Sequence, residues 1–451
     1  MYPENNLAGL RVVIGLGITG LSCVRYLCQR GYTVAVTDTR ERPPHWDILK
    51  KDYPHVPIST GKLDDALLNQ AVEIIISPGI SLQEPAIARQ IQKNKPVIGD
   101  IELFARSINV PVIAITGTNA KSTVTTLIGK MAQAAGKYAA VGGNLGIPVL
   151  DLVNQFQPPE LFVLELSSFQ LETTYSLSPL VATVLNVTPD HMDRYATFDD
   201  YIAAKQRIYR ACQVAVCNQD DRQTICKQPA QRQLYFTLQN PGPNTFGLLL
   251  QQREVYLAYE SMPLLPVAEL PVKGRHYYAN ALAALAVGYG AGLDFQPMLA
   301  VLRQFQGLPH RCQLVRERAN ISWFNDSKGT NVGATLAAIE GLGADLRGRL
   351  ILIAGGVGKN ADFQPLLPVI KKYVRAVVLI GEAAPILANT IGTSVATYHA
   401  QSLEEAVYKA DQLAVAEDCV LLSPACASFD MFKNYEHRGT VFTSLVQELK
   451  S

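Results

Sequence analysis

The segment VPVIAITGTNAKST, residues 110–123, is apolar through Ile115 and then breaks into glycine, asparagine, lysine and hydroxyl residues. Beyond it Val124, Leu127, Ile128 and Met131 recur at helical spacing, so the stretch reads as a buried strand, a tight loop and a helix start. The same exchange recurs along the chain. RVVI leads through GLGITG into LSCVRYLCQR and on to YTVAVTD and VEIIISPGI. LFVLELSS and LVATVLNVTPDHMD follow the second loop, and ISWFNDSKGTN, RLILIAGGVGK, AVVLIGE and CVLLSPACASFD occupy the last third. Strands alternating with helices commit the chain to an α/β architecture with mainly parallel sheets. Each strand ends in glycine or polar residues, at the edge where open α/β sheets hold ligands.

At 451 residues the chain is about three times a usual domain. The strand-helix cycles divide it at ARSINVP and QGLPHR into a Rossmann-like first domain (1–105), a central P-loop-type ATPase domain (106–307) and a Rossmann-like α/β domain (308–451). Between about Gln239 and Val272, Pro, Gly and Gln interrupt hairpin-like runs, and YYANALAALAVGYGAGL then reads as an Ala-rich packed helix. Lys plus Arg total 40 against 39 acidic residues, which excludes a general polyanion binder such as a nucleic-acid protein. Phosphate recognition must therefore be local. No stretch offers the ~20 consecutive apolar residues of a membrane span, and MYPENNLAGLRVVIGLG lacks the regions of an export signal; a cytoplasmic protein is expected. The eight cysteines form no CxxC pair and read as reduced packing residues, neither a disulfide framework nor a zinc site.

GLGITG, with Gly15, Gly17 and Gly20, follows a strand and opens a helix, and Asp38 ends the next strand. That is the arrangement of a dinucleotide fingerprint, and by itself it admits an NAD(P)-dependent oxidoreductase. Any diphosphate, a UDP-sugar's included, presents the same group to a helix N-terminus. TGTNAKST is different. A Walker loop needs glycine where Ile115 stands, and Ala120 replaces the glycine before Lys121. What remains is Gly117, then Lys121 as a cation for β- and γ-phosphates and Ser122 as a magnesium ligand, followed by Thr123. Glu165 ends the run LFVLE, where a sheet delivers a carboxylate to a nucleotide's Mg²⁺. A capped helix and a buried structural glutamate are the plain alternatives.

TGTNAKST, LELSSFQL, NVTPDHMDR, the lysine of YIAAKQRIY, GLPHRC, DSKGTN, GGVGKNAD and SPACASFDMFKNYEHRG follow, in this order, the motif series of the Mur ligases. The chain resembles that family over nearly its whole length. ELSSFQL and SPACASFDMF with its later RG resemble the D-glutamate-adding branch, and no DNPR-type motif of the meso-diaminopimelate-adding branch occurs in the last domain. The resemblance implies an ATP-dependent ligase of peptidoglycan precursor synthesis; a monomer is expected. ATP would phosphorylate the carboxylate of UDP-N-acetylmuramoyl-L-alanine, and the D-glutamate amine would attack the acyl phosphate through a tetrahedral intermediate. Positioned cations and metals would then supply most of the acceleration.

By the same resemblance, the loop Gly117, Thr118, Asn119, Ala120, Lys121, Ser122 and Thr123 would hold ATP phosphates, with Ser122 and Glu165 on a first Mg²⁺ and His191 on a second. Lys205 lies on a helical pattern where a solvated lysine is the default; the family's matching lysine is carbamylated by CO₂ and supports the metal site, which requires an unprotonated amine. Asn280 would meet adenine, Arg311 phosphate and Asp326 ribose, with Lys328 beside them; closure of the third domain at GLPH would bring Arg311 to the phosphates. Thr330, Lys359, Ser423 and Phe429 would contact D-glutamate. Gly17, Ile18 and Thr19, with Gly79 and Asn144, would approach the UDP diphosphate, and Asp38, Thr39 and Arg40 the uridine.

Two departures stand out. Ala120 replaces the family's glycine, tolerable if its φ is negative, and Tyr277 follows His276 where asparagine is expected. A folylpolyglutamate-like or other Mur-type ligase with a different acceptor is the nearest alternative. An NAD(P) oxidoreductase leaves the second loop without purpose, and a nucleotide-sugar sensor leaves Lys121, Glu165, His191 and Lys205 without one.

Overall fold

A computed structural model of the chain describes residues 9–153, 158–272, 274–344 and 346–449. Their strands form three sheets. The first is wholly parallel, in the order Ile58–Thr60, Thr33–Asp38, Leu10–Ile14, Glu73–Ile76, Val97–Ile98. The helix Ile18–Gln29 leaves the central strand of this sheet through GLGITG. Gly20 permits its close approach: a Cβ there would lie 1.8 Å from the Gly15 carbonyl oxygen. Gly15, at φ +87°, takes the left-handed turn that glycine adopts freely.

The central sheet runs Met262–Pro266, Glu254–Tyr259, Thr245–Gln251, Arg232–Phe236, Val214–Asn218, Val181–Val184, Val112–Thr116, Leu161–Glu165, Ala139–Gly143. The first three strands pair antiparallel, which is the hairpin region expected from Gln239 to Val272; the others are parallel. Val112–Thr116 is buried on both faces. Val112 and Ala114 enter one apolar core, while Ile113 and Ile115 enter another with Leu127, Met131 and the Ala-rich helix Arg275–Gly290. A strand apolar at every position has nowhere else to sit.

The third sheet is ordered Gln313–Arg318, Ile321–Asn325, Cys419–Leu422, Leu350–Gly355, Val374–Ile380, Ala396–His399, with its first strand antiparallel. QLVRER was not among the expected strands: with three charges at an edge it lacks an apolar signature. The cut expected at 105 falls at the end of the helix Asp100–Ala105, and that at 307 lies between the helix Phe295–Gln304 and the strand Gln313–Arg318. The Asp100–Ala105 helix is tied to the central domain by the Glu102 carboxylate, which accepts from the Tyr175 and Ser176 amides and the Ser176 hydroxyl.

Candidate active site

The loop after Val112–Thr116 and the start of the helix Lys121–Ala134 form the floor of the site. Ala120 caps this helix at φ +67°, ψ −7°. The negative φ that would make alanine harmless is therefore not adopted; the loop keeps the glycine conformation with a Cβ in place, at a cost of roughly 1–2 kcal/mol. Lys121 folds back so that its Nζ donates to the carbonyls of Gly117 and Thr118, both at 2.9 Å. Burial lowers its pKa, opposed by the charge of Glu165.

Lys205 is not the solvated lysine that its helix suggests. It is 2% exposed, and its Nζ donates to the same Gly117 carbonyl at 2.8 Å. Burial, then the neighbouring Lys121 charge, push its pKa well below the ordinary lysine value, which favours a free, nucleophilic amine. Glu165 stands at the end of Leu161–Glu165 with Oε1 accepting from Asn144 Nδ2 at 2.7 Å. Its Oε2 is buried with no hydrogen-bond partner, an arrangement a cation would satisfy. His191, at φ +59°, lies edge-on to Phe169 with ring centroids 4.9 Å apart. Burial lowers its pKa, keeping the imidazole neutral, as metal ligation or proton acceptance requires.

Residues of the third domain enter the same cavity. Arg311 Nη2 donates to Ser122 Oγ at 2.7 Å, Asn331 Nδ2 to Asp190 Oδ2 at 3.0 Å, and Lys359 Nζ lies 3.7 Å from Asp190 Oδ1. Arg311 thus reaches across the cleft to the start of the phosphate-loop helix. The cavity, about 260 Å³, is lined by Thr118–Ser122, Asn144, Glu165, His191, Lys205, Arg311, Lys328, Thr330, Asn331 and Lys359, among others. An adjoining cavity of about 210 Å³ takes in Asn119, Ala120, Thr123, Tyr277, Asn280, Arg311, Asp326 and Lys328. The second is more apolar, suited to a base and ribose; the first is polar and cationic, suited to phosphates. Among the described residues, no three of His, Cys, Asp and Glu converge on one point. A divalent cation here would need hydroxyl and substrate oxygens besides Glu165 and His191.

Three models of protein families match the chain in succession: the Mur ligase MurD-like N-terminal domain over residues 10–99, the Mur ligase middle domain over 115–288, and the Mur ligase glutamate ligase domain over 310–426. The chain belongs to the Mur ligase family. Among Mur ligases, it is 52% identical over 441 residues to a UDP-N-acetylmuramoylalanine–D-glutamate ligase of Coxiella burnetii, covering 98% of this chain and 99% of that protein. A protein of the same name from Pseudomonas aeruginosa is 52% identical over 443 residues, covering 97% and 98%. The fold also matches solved ligases at low identity: a pseudomurein peptide ligase type C from Methanothermus fervidus (TM-score 0.63, 18% identity, 98% of this chain and 100% of that chain) and the UDP-N-acetylmuramate-alanine ligase of Thermotoga maritima (0.60, 18%, with the same coverage).

Some positions transferred from the Mur ligase motifs sit differently from expectation. Asp38 is 1% exposed; its carboxylate accepts from the Leu16 amide at 2.7 Å and from the Arg40 backbone and guanidinium, so it braces the glycine loop. Thr39, Arg40 and Gly79 remain exposed, as does Ile18, with Gly17 and Thr19 partly exposed beside it. Ser423 is fully buried, its hydroxyl donating to Asp326 Oδ2 at 2.7 Å; it orients Asp326 and does not face the cleft. Phe429 is 73% exposed and lines neither cavity. Asp326 is pushed up to about 6 by burial and Lys328 down to about 8, also by burial and then by Arg311. Tyr277 is buried, stacks parallel to Phe305, and leaves its hydroxyl without a partner.

Sequence reasoning missed Asp190, Asn331 and Tyr201. Asn331 caps the helix Val332–Gly343 through the Ala334 amide while also meeting Asn119 and Asp190. The Asn before an apolar helix was the available signal. Tyr201 bonds Thr118 across 83 residues, and nothing local announces it.

Proposed function

We propose that this Mur ligase joins the carboxylate of UDP-N-acetylmuramoyl-L-alanine to the amine of D-glutamate at the expense of ATP, as the names of its 52% identical relatives state for those proteins. One observation carries the reading: a phosphate loop, an unsatisfied buried carboxylate, a neutral histidine and third-domain cations meet in one cavity beside a nucleotide-sized one. ATP would lie with its base and ribose among Asn280, Asp326 and Lys328 and its phosphates over 117–123. Lys121 and Arg311 would then neutralise the γ-phosphoryl group as the substrate carboxylate attacks it, displacing ADP and leaving an acyl phosphate. The UDP end would rest on the first domain at Gly17, Ile18, Thr19 and Gly79.

The D-glutamate amine attacks the acyl carbon and phosphate leaves. Lys359 and Thr330 supply a cation and a hydroxyl for the two carboxylates of the incoming amino acid. The orphaned Glu165 oxygen, His191 and Ser122 fit magnesium, which when bound would offset phosphate charge. Lys205, held as a free amine, can add CO₂ with loss of one proton, giving a carbamate anion next to Gly117. UDP-linked precursor and ATP are cytoplasmic compounds, and no described helix is long and apolar enough to cross a membrane.

The test is phosphate release from ATP with UDP-N-acetylmuramoyl-L-alanine, comparing D-glutamate, L-glutamate, meso-diaminopimelate, L-lysine and no amino acid, with mass detection of product. Release and a new amide with D-glutamate only are expected. Release with another acceptor would retain the mechanism and replace the acceptor, and no release would overturn both.

A further inference from the structure

Arg194 ends the PDHMDR stretch and takes no part in the chemistry above. Its guanidinium leaves the central domain and reaches the first: Nη1 donates to the Pro78 carbonyl at 2.8 Å and Nη2 to the Ile80 carbonyl at 3.1 Å. Those two carbonyls flank Gly79. Nη2 also lies 3.2 Å from Glu172 Oε2, with the Arg194 side chain 14% and the Glu172 side chain 20% exposed. The guanidinium carbon sits 4.0 Å above the Phe169 ring, and Phe169 meets His191 edge-on. Through the backbone, the Arg194 amide donates to the His191 carbonyl at 2.9 Å. An unbroken line of contact thus runs from the Gly79 turn of the first domain to the imidazole of the second.

We propose that Arg194 is a positioning residue that fixes the span between the diphosphate-binding turn and the acyl-transfer centre at His191. It thereby selects a substrate whose diphosphate and carboxylate are separated by that span. The inference rests on the function proposed above. An arginine suits the task because its planar fork donates in several fixed directions while stacking on a ring, which a lysine's compact ammonium cannot reproduce. Remote binding energy on the nucleotide then becomes orientation at the reacting carboxylate.

The test uses the full chain as wild type, Arg194→Lys and Glu172→Gln. Calorimetric affinity is measured for UDP, which lacks the acyl carboxylate that reaches His191, and for UDP-N-acetylmuramoyl-L-alanine, which carries it; KM is measured for each substrate. In Arg194→Lys, UDP affinity is expected within twofold of wild type. Affinity for the spanning substrate should fall about tenfold, the scale of one charge-assisted hydrogen bond. Its KM should rise in step, with the KM values of ATP and D-glutamate within twofold. Glu172→Gln, which keeps both carbonyl contacts, should show a smaller shift of the same sign and serves if Arg194→Lys fails to fold. Equal losses for UDP and the spanning substrate, or no loss in either, overturn the proposal. A wild type that forms no amide would overturn the proposed function, while the ratio of the two affinities would still decide the role of Arg194.

Discussion

Replacing Ala120 by glycine is expected to leave the phosphate loop as stable as before or more so, against the usual rule for alanine at a helix start. Ala120 sits at φ +67°, ψ −7°, where a Cβ costs roughly 1–2 kcal/mol. Glycine removes that strain but adds about 0.4–1 kcal/mol of unfolded-chain entropy. The net effect is therefore a gain of up to about 1.5 kcal/mol, with zero as the lower limit. The control is Ala203→Gly, an exposed position inside the helix Phe198–Gln206 of the same domain, which should cost about 0.5–1 kcal/mol. Native-state hydrogen exchange reads both locally, which matters because a three-domain chain need not unfold in one step. The amides of Val124 and Leu127 should exchange no faster in Ala120→Gly, and those around Ala203 should exchange faster in its variant. Ala120→Val, β-branched at positive φ, should accelerate exchange along the Lys121–Ala134 helix and raise the KM for ATP. If Ala120→Gly destabilises as much as Ala203→Gly, the strain argument fails.

Three further outcomes are expected. Gly333→Val should lower the ligase rate by about tenfold or more and enlarge the scattering radius in the presence of ATP analogue and UDP-substrate, because even a Cβ at Gly333 lies 2.7 Å from Thr188 Oγ1 across the cleft; an unchanged radius and rate would refute this. Lys205→Arg, which stays charged and cannot take up CO₂, should lose activity by about 10–100-fold. Wild-type activity should rise with added bicarbonate at a pH well below that at which an ordinary lysine deprotonates; indifference to bicarbonate would refute the carbamate. Asp100 is pushed up to about 6 by burial, with Gln170 as a hydrogen-bond partner. The folded state then holds this proton more tightly than the unfolded chain, so its contribution to stability is present below pH 4 and is lost as pH rises through about 6. Asp100→Asn should accordingly raise the thermal midpoint at pH 7.5 but not at pH 4, and an equal shift at both would refute the assignment.

The loops were legible because their signals are local. An apolar run followed by glycine and a Lys-Ser-Thr helix start needs no distant partner to be read, and parallel pairing follows from burial on both faces. Arg318 and its neighbours in QLVRER escaped because an antiparallel edge strand can tolerate charges. The inward contacts of Ser423 and Asp38 escaped for a related reason: a polar residue at a strand end can turn to the ligand or inward to a neighbour. Here Asp326 claims the one, and Leu16 and Arg40 claim the other.

The sequence by itself determined the α/β rhythm, the glycine loops, the family motifs and therefore the class of chemistry. Tertiary structure decided which of those residues meet. Lys205 lies 88 residues from the Gly117 carbonyl it bonds, and Arg311 lies 189 residues from Ser122. Its burial, and with it the depressed pKa of Lys205, is a property of what surrounds the amine rather than of the helix that carries it. The left-handed turn at Ala120 was likewise imposed by its loop. Parallel sheets bring their loops to one end, but only the packing of three such ends fixes which cation faces which carboxylate.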